Sequence, residues 1–419
     1  MESVSNIETQ GNEFSLQKSH MIITFIVCFF SLMSFGIWSS VLPYTMNSIK
    51  HTFQLTSSQI GALSSYFIIG NIVGALFGGW CSDKIGRKKT IIYNLIFASI
   101  FMALLSTATS YNQFAILITL GALGVGTIYI VPNVLISEIT SDRYRTIALA
   151  TIMVGFMLGA ILTAFTASYL VEQYGWQSLY QLCLSPLIIA IIAYFFACES
   201  PSWLKFKVNQ EKVNKSSKVD LKIFIKDKLV LRMTILWIIC SGFLQFGFYG
   251  VSAWLPVFFT DGMKIPYKEM TSVMILTYMV SIISKFISGY SADKLGPKKI
   301  FVFGTIGTAI MLTTLVSFHS KFDGTTLIVI FSLLYGIPFG ILATYVTQSF
   351  PTSIRGTAVG GTLTIGGFAS PLAPLMVGHF ADTHSISFGM IFLGVTYLLS
   401  GLIALFFIKD RLYNPNSVN

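Results

Sequence analysis

The stretch GGWCSDKIGRKK at residues 78–89 recurs as SGYSADKLGPKK at residues 288–299. The two segments share two glycines, an aspartate and three lysines at equivalent positions, which lie 210 residues apart. The same offset relates Arg145 to Arg355, far from the first match. Two distant matches at one offset indicate that the chain consists of two duplicated halves.

The composition of the chain favours lipid over water as its surroundings. Of its 419 residues, 54% are hydrophobic and 11% are charged, and the mean hydropathy is +0.73. A soluble domain carries about 25% charged residues. The five cysteines are scattered with no Cys-x-x-Cys pair, so we expect neither a metal site nor a disulfide frame. The chain is therefore predicted to be an integral membrane protein.

Twelve apolar runs reach the length of about 20 residues that a helix needs to cross a bilayer. They are predicted at 21–45, 57–80, 90–109, 112–136, 145–170, 176–197, 232–258, 269–291, 298–318, 324–348, 357–381 and 386–408. We therefore predict an all-α fold of twelve transmembrane helices in two six-helix pseudo-symmetric halves. The predicted parts are a tail at 1–20, a half at 21–198, a basic linker at 199–231, a half at 232–408 and a tail at 409–419. The polar first 20 residues lack a signal-peptide pattern, so the first run is expected to be retained.

Lysine and arginine predict the orientation of these helices. With the N-terminus inside, 22 of the 27 basic residues fall in inside segments, four fall outside and one lies within a span. Cytoplasmic loops carry such an excess, so both termini and the linker are expected in the cytoplasm, at the cell membrane. The net charge of +10 then requires no nucleic acid. The basic linker either binds anionic lipid headgroups or serves topology alone.

The two repeated segments resemble the G-x-x-x-D-x-x-G-R-[KR]-[KR] signature of the major facilitator superfamily. The resemblance implies carriers that alternate between two access states, with this cluster latching the cytoplasmic side when the carrier faces outward. We expect Gly79 and Gly289 to let a neighbouring helix approach, and Asp83 and Asp293 to accept charge-assisted hydrogen bonds. Pro297 replaces the motif arginine in the second copy, so we expect that latch to be weaker. The other residues of the first motif assigned to the latch are Gly86 and Arg87. The alternative is that the basic residues only set topology.

A second group of charged residues follows the fourth and tenth spans. Glu138 and Arg145 lie two helical turns apart and are expected to form an ion pair. In the second half Gln348 takes the place of Glu138, while Arg355 remains. We assign Glu138, Arg145 and Arg355 to the same latch as the repeated motif. The segment around Glu138, and ESPSWL at 199–204, resemble elements of the sugar, organic-ion and aromatic-acid carriers.

The seventh span narrows the resemblance. QFGFYGVSAWLP at 245–256 is similar to the Y-G-x-x-x-W-L-P segment of aromatic-acid and organic-anion carriers. It lacks the paired glutamines and the asparagine of sugar porters. The fifth span lacks the G-P-x-x-G-G pattern of drug–proton antiporters. The first span has none of the aspartates that aromatic-acid symporters carry, which weakens the expectation of proton coupling.

Lys285 is the ionisable residue of most interest, because charges inside membranes usually serve function. It either offsets the charge of an anionic substrate or snorkels to the headgroups. Further candidates for substrate contact are polar or aromatic residues, each with ordinary packing or the interfacial aromatic belt as the alternative. They are Trp38, Tyr129, Asn133, Gln245, Tyr249, Trp254, Tyr345 and Thr364.

These observations predict a secondary active or facilitative transporter that moves a small organic solute, a carboxylate or other organic anion, with import favoured. The expected partners are the solute, a co-transported proton or other ion, and membrane lipids, with the chain acting as a monomer. Neither a cofactor nor ATP-driven transport is indicated, because no P-loop is present. The alternatives are an efflux carrier and a carrier of neutral sugars, amino acids or nucleosides. We do not expect an enzyme, since no cluster of His, Asp or Cys converges at a membrane face, or a receptor, since the linker is too short for a signalling domain.

Overall fold

The computed structural model describes residues 2–141, 144–210, 227–318, 324–351 and 354–409, with most side chains from His20 onward. Parts of the predicted linker and C-terminal tail therefore lie outside the described residues. The same holds for some of the basic residues used to assign orientation: Arg143, Lys212, Lys215, Lys218, Lys222, Lys226, Lys321 and Arg411.

The described residues form helices and connecting segments, with no strand among them, and twelve helices are long and apolar enough to cross a membrane. We number them spans 1 to 12: His20–Phe53, Ser57–Ile85, Arg87–Thr107, Tyr111–Ile139, Ile147–Tyr174, Trp176–Phe196, Lys228–Gly262, Tyr267–Leu295, Pro297–Phe318, Gly324–Thr347, Arg355–Thr383 and Ile386–Phe407. The helix of span 1 begins earlier, at Glu2. The predicted number of spans is confirmed, and most ends differ by a few residues, because apolar side chains define the centre of a span better than its polar ends.

Two spans are interrupted. Span 6 consists of Trp176–Gln181, a short turn and Pro186–Phe196. Span 11 consists of Arg355–Gly367 and Leu372–Thr383. Pro371 has no amide hydrogen to continue the helix of span 11, and Ser370 donates both its amide and its hydroxyl to the Gly367 carbonyl at the break. A further helix, Pro201–Gln210, follows span 6 within the predicted linker.

The chain divides into two compact units. The first consists of Met1–Val41 and Tyr66–Lys215, and the second of Leu42–Ser65 and Ser216–Asn419. The hairpin Leu42–Ser65, which joins spans 1 and 2, thus packs within the second unit although it belongs to the first half of the sequence. The domain boundaries at the linker stay a prediction.

Each unit contains the same close pair of helices. In the first unit, Gly126 of span 4 lies against the backbone of Asn71 in span 2, where a Cβ atom would not fit. In the second unit, Gly336 of span 10 lies against Ser281 in span 8. Both residues of the second pair are offset by 210 positions from those of the first. The repeat seen in sequence is therefore a repeat of packing, in which small residues let two backbones approach.

Candidate functional site

Arg87 is the centre of a charged network at one end of the first unit. Its guanidinium lies 3.0 Å from the Asp83 carboxylate and donates two hydrogen bonds of 3.1 Å to the two carboxylate oxygens of Glu138. Its remaining nitrogen donates to the Ser82 carbonyl at 3.0 Å. The Arg87 side chain is 11% exposed and that of Glu138 is 21% exposed. The bidentate contact of an arginine with a carboxylate is stronger and more directional than a lysine contact. Arg87 therefore ties span 3 to spans 2 and 4.

Glu199 completes this network from the end of span 6. One of its carboxylate oxygens accepts from the amides of Arg87 at 2.8 Å and Lys88 at 3.1 Å, the first two amides of span 3. A carboxylate at a helix start satisfies free amides and complements the helix dipole. Gly86 precedes it with φ +103°, and a Cβ there would meet the Glu199 carboxylate at 2.3 Å. The indole of Trp203 donates to the Asp83 carbonyl at 2.8 Å and closes the cluster.

The ion pair predicted between Glu138 and Arg145 is replaced by a different one. Glu138 binds Arg87, whereas Arg145 donates from Nε to the Ser137 carbonyl at 2.9 Å. Arg145 therefore holds the end of span 4 through its backbone. One helix ends at Ile139 and the next begins at Arg145, so the two residues do not share the helix that the two-turn spacing assumed.

The role predicted for Gly79 and Gly289 is not seen in this structure. A Cβ at either position would meet no heavy atom within 4 Å. The neighbouring residue Gly78 instead lies against the Thr127 side chain of span 4. A helix turns by about 100° per residue, so the rotation of span 2 decides which of two adjacent glycines meets its neighbour.

The second copy of the network lacks its central pair. Pro297 stands where Arg87 would be and Gln348 stands where Glu138 would be. Asp293 is exposed and takes part in neither ion pair of the described residues. The Gln348 Oε1 and one Arg355 guanidinium nitrogen are buried without a hydrogen-bond partner among the described residues. The weaker second latch stays a prediction.

Lys285 lies inside span 8, on a stripe of partly buried residues with Tyr278, Ile282 and Gly289. The adjacent stripe packs on span 10, where the hydroxyls of Ser281 and Ser284 donate to span 10 carbonyls. Neither ion pair of the described residues involves Lys285. Lys285 is thus a cation within a membrane span. In the described part of the chain, no carboxylate lies at ion-pair distance from it.

Three other predicted substrate contacts are engaged in holding helices together. The Trp254 indole is buried and donates to the Pro374 carbonyl at 2.9 Å. Gln245 donates to the Leu363 carbonyl at 2.9 Å, in the half of span 11 that precedes its break. Tyr345 is fully buried in the core, with its ring 4.9 Å from that of Trp237. Tyr345 is therefore not accessible to a solute in this structure, in contrast to the prediction.

The remaining candidates differ in exposure. Tyr129 is 38% exposed, and its carbonyl accepts from Asn133 at 2.7 Å. Tyr249 and Thr364 are exposed. Trp38 is fully buried, and its indole nitrogen has no hydrogen-bond partner among the described residues. Their role in binding stays a prediction.

Comparison with known proteins identifies the family. A model of the Major Facilitator Superfamily matches residues 24–374 and 269–418. The chain belongs to the Major Facilitator Superfamily. It is a multi-pass membrane transporter of that superfamily, with a small-molecule substrate.

Individual relatives agree with this assignment. The cis,cis-muconate transport protein of Acinetobacter baylyi is 37% identical, over 94% of this chain and 95% of its own length. The gentisate transporter of Corynebacterium glutamicum is 22% identical, over 96% and 90%. A crystal structure of a D-xylose–proton symporter superposes with a TM-score of 0.76 at 19% identity, over 94% of this chain and 99% of that one. The likeness to the xylose symporter shows the fold alone.

In this superfamily member, sequence reasoning missed two groups of residues. An aromatic cluster joins spans 7 and 10, where the rings of Phe248 and Tyr335 stack at 5.6 Å and the Tyr335 hydroxyl donates to the Phe248 carbonyl. Asp382 bonds to the start of span 2, at Ser57 and Ser58. The aromatic residues were visible in the sequence, but helical spacing cannot show which of them face each other across two spans.

Proposed function

We propose that this transporter carries a small organic carboxylate by alternating access, and that Lys285 offsets the charge of the substrate. The observation that carries the proposal is a lysine within span 8 that lies at ion-pair distance from no described carboxylate. Import is the favoured direction.

The energetics of a cation inside a membrane span support this role for Lys285. A lysine at the centre of a membrane helix is unfavourable by about 2.5–3.5 kcal/mol on insertion scales. Lys285 is ten residues from the end of span 8 at Leu295, which corresponds to about 15 Å along the helix axis. An anionic substrate would neutralise the charge, whereas a lysine that only snorkels would gain nothing from it.

The relatives support the same class of substrate. Muconate and gentisate, the compounds that appear in the names of two relatives, are carboxylates. The described spans are apolar and contain few other cationic side chains that could bind an anionic substrate. Arg87, which is buried, already binds two carboxylates, and Arg355 lies at the start of span 11.

The proposal includes the location, the orientation and the oligomeric state of the protein. We place it in the cell membrane with both termini and the linker in the cytoplasm, as the positive-inside rule predicts. Lipids surround it, and a monomer suffices for transport. We retain Tyr129, Asn133, Tyr249 and Thr364, which are not fully buried, as candidate substrate contacts.

Uptake by proteoliposomes tests the proposal. Labelled carboxylates, sugars, amino acids and nucleosides are offered to the wild type, Lys285→Ala and Lys285→Arg, with and without an inward proton gradient. Lys268→Ala is the matched control, because Lys268 lies in the first turn of the same span and is exposed. We expect uptake of carboxylates, a loss of about tenfold or more in Lys285→Ala, and partial retention in Lys285→Arg, since hydrogen bonds to charged groups contribute about 1.5–3 kcal/mol.

Lys268→Ala should transport like the wild type. Uptake of a neutral solute, or carboxylate uptake that Lys285→Ala leaves unchanged, would contradict the proposal. A response to the proton gradient would assign symport, and its absence would assign a uniporter or exchanger.

A further inference from the structure

We propose that Asp382 is a positioning residue for transport, whose carboxylate completes the start of span 2 and must release it for the outer side to open. The inference rests on transport by alternating access but not on the choice of a carboxylate as substrate.

Side chains of neighbouring residues bind half of the free backbone amides at the start of span 2. Thr56 Oγ1 accepts from the Gln59 amide at 3.2 Å, and the Gln59 side chain accepts from the Thr56 amide at 2.9 Å. This reciprocal pair is a capping box. A helix start leaves four amides without partners, so the amides of Ser57 and Ser58 remain.

Asp382 binds those two remaining amides. Its Oδ1 accepts from the Ser57 amide at 2.8 Å, and its Oδ2 accepts from the Ser58 amide at 2.8 Å and the Ser58 hydroxyl at 2.6 Å. The carboxylate lies 324 residues away in sequence from Ser58, near the end of span 11. Bonds from a carboxylate to a helix start are charge-assisted and complement the helix dipole.

The same hairpin is held at further points within the second unit. Asn47 donates to the Asp261 carboxylate at 2.8 Å, and the Tyr267 hydroxyl donates to the Tyr44 carbonyl at 3.0 Å. The Ser65 hydroxyl donates to the Pro371 carbonyl at the break of span 11. All of these contacts join the hairpin Leu42–Ser65 to spans 7, 8 and 11. The Asp382 contact differs from them because it brings a carboxylate to the end of a helix.

Two comparisons within the molecule indicate that this cap forms and breaks during alternating access. Glu199 caps span 3 in the same way, but both partners belong to the first half of the sequence. Asp382 instead joins a hairpin of the first half to a helix of the second, which must move relative to each other in alternating access. Span 8, the repeat equivalent of span 2, begins after Pro266 with no side-chain cap. The cap is therefore an addition to one helix start and not a general need of the fold.

Hydrogen exchange of the purified protein tests the cap without any substrate. We expect Asp382→Ala to speed exchange of the Ser57 and Ser58 amides by about tenfold or more, while exchange in span 3 stays unchanged. Glu269→Ala is the matched control, since Glu269 is an exposed carboxylate in the first turn of span 8. Equal circular dichroism and elution volume would show that the variants fold. Unchanged exchange at Ser57 and Ser58 would overturn the proposal.

Labelling from outside tests the release. Ser64 lies in the hairpin, is 4% exposed and has no hydrogen-bond partner among the described residues, so Ser64→Cys is a mild change. In intact cells, we expect an impermeant maleimide to label Ser64→Cys several times faster when combined with Asp382→Ala than when alone or combined with Glu269→Ala. Faster exchange with unchanged labelling would overturn the gating role and leave Asp382 as a fixed cap. Because neither assay uses substrate, both outcomes are independent of the uptake result for Lys285.

Discussion

The second half lacks both members of the ion pair that links Arg87 and Glu138 in the first half. Arg87 and Glu138 bind each other, and their counterparts Pro297 and Gln348 are both uncharged. Removing one partner of a buried pair leaves a charge without compensation, which is worse than removing both. The joint replacement at two positions far apart in sequence therefore agrees with the contact between them in the first unit.

Removal of Arg87 should destabilise the protein more than removal of the whole pair. We expect Arg87→Ala to lower the free energy of unfolding by about 2–3 kcal/mol, below the 3–5 kcal/mol of a fully buried pair because Glu138 is partly exposed. Arg87→Ala/Glu138→Gln should recover part of that loss. Unfolding midpoints of the purified variants in detergent measure the difference. A double variant less stable than Arg87→Ala would show that the ion pair between the two residues does not stabilise the protein.

At the scale of helices, starts are satisfied in two distinct ways. Spans 4, 7 and 12 begin with a local cap, in which Ser110, Asp227 or Ser385 accepts from amides two or three residues later. Spans 2 and 3 also receive carboxylates from distant parts of the chain: Asp382 of span 11 and Glu199, which follows span 6. Local caps fix where a helix begins, and distant caps also fix which helix lies beside it.

The turn between spans 2 and 3 provides a test of the distant cap by Glu199. We expect Gly86→Ala to lower the free energy of unfolding by about 1–3 kcal/mol, because a positive φ is strained for alanine and the new Cβ would displace the Glu199 carboxylate. Gly79→Ala is the control in the same motif, since a Cβ there meets open space. It should match the wild type or exceed it slightly, as alanine favours a helix. Thermal unfolding in detergent separates the two, and equal midpoints would refute the role of Gly86.

At the scale of the whole molecule, the contacts group the hairpin Leu42–Ser65 with the second unit. The duplication in sequence predicts a division near the linker instead. The difference arises because hydrogen bonds such as Asn47 to Asp261 tie the hairpin to helices from the other half. The compact units therefore describe one conformation of the protein, whereas the repeat describes how the chain is built.

The orientation of the spans is open to direct measurement. Gln54, in the turn between spans 1 and 2, and Leu295, at the end of span 8, are exposed. The positive-inside rule places Gln54 outside and Leu295 in the cytoplasm. In intact cells, an impermeant maleimide should label Gln54→Cys, and it should label Leu295→Cys only after permeabilisation. The wild type, with its five native cysteines, is the background, and the reverse pattern would invert the proposed topology.

The sequence by itself determined the number of spans, the repeat, the family motifs and the candidate cation Lys285. Each of these depends on residues close together in the chain: a run of apolar side chains, a motif of twelve residues or a single charge between apolar neighbours. The capping box of Thr56 and Gln59 is equally local, because its two residues lie three positions apart in the chain.

Only the tertiary structure decided which partners meet. Glu138 binds Arg87 rather than Arg145, Gly78 rather than Gly79 meets span 4, and Asp382 completes a helix that begins at Ser57. These outcomes depend on the rotation of each helix about its axis and on which helices become neighbours. Apolar runs that are hydrophobic on all sides leave that rotation undetermined, because lipid accepts any apolar face. The choice is made by small residues and polar groups that meet across helices far apart in the sequence.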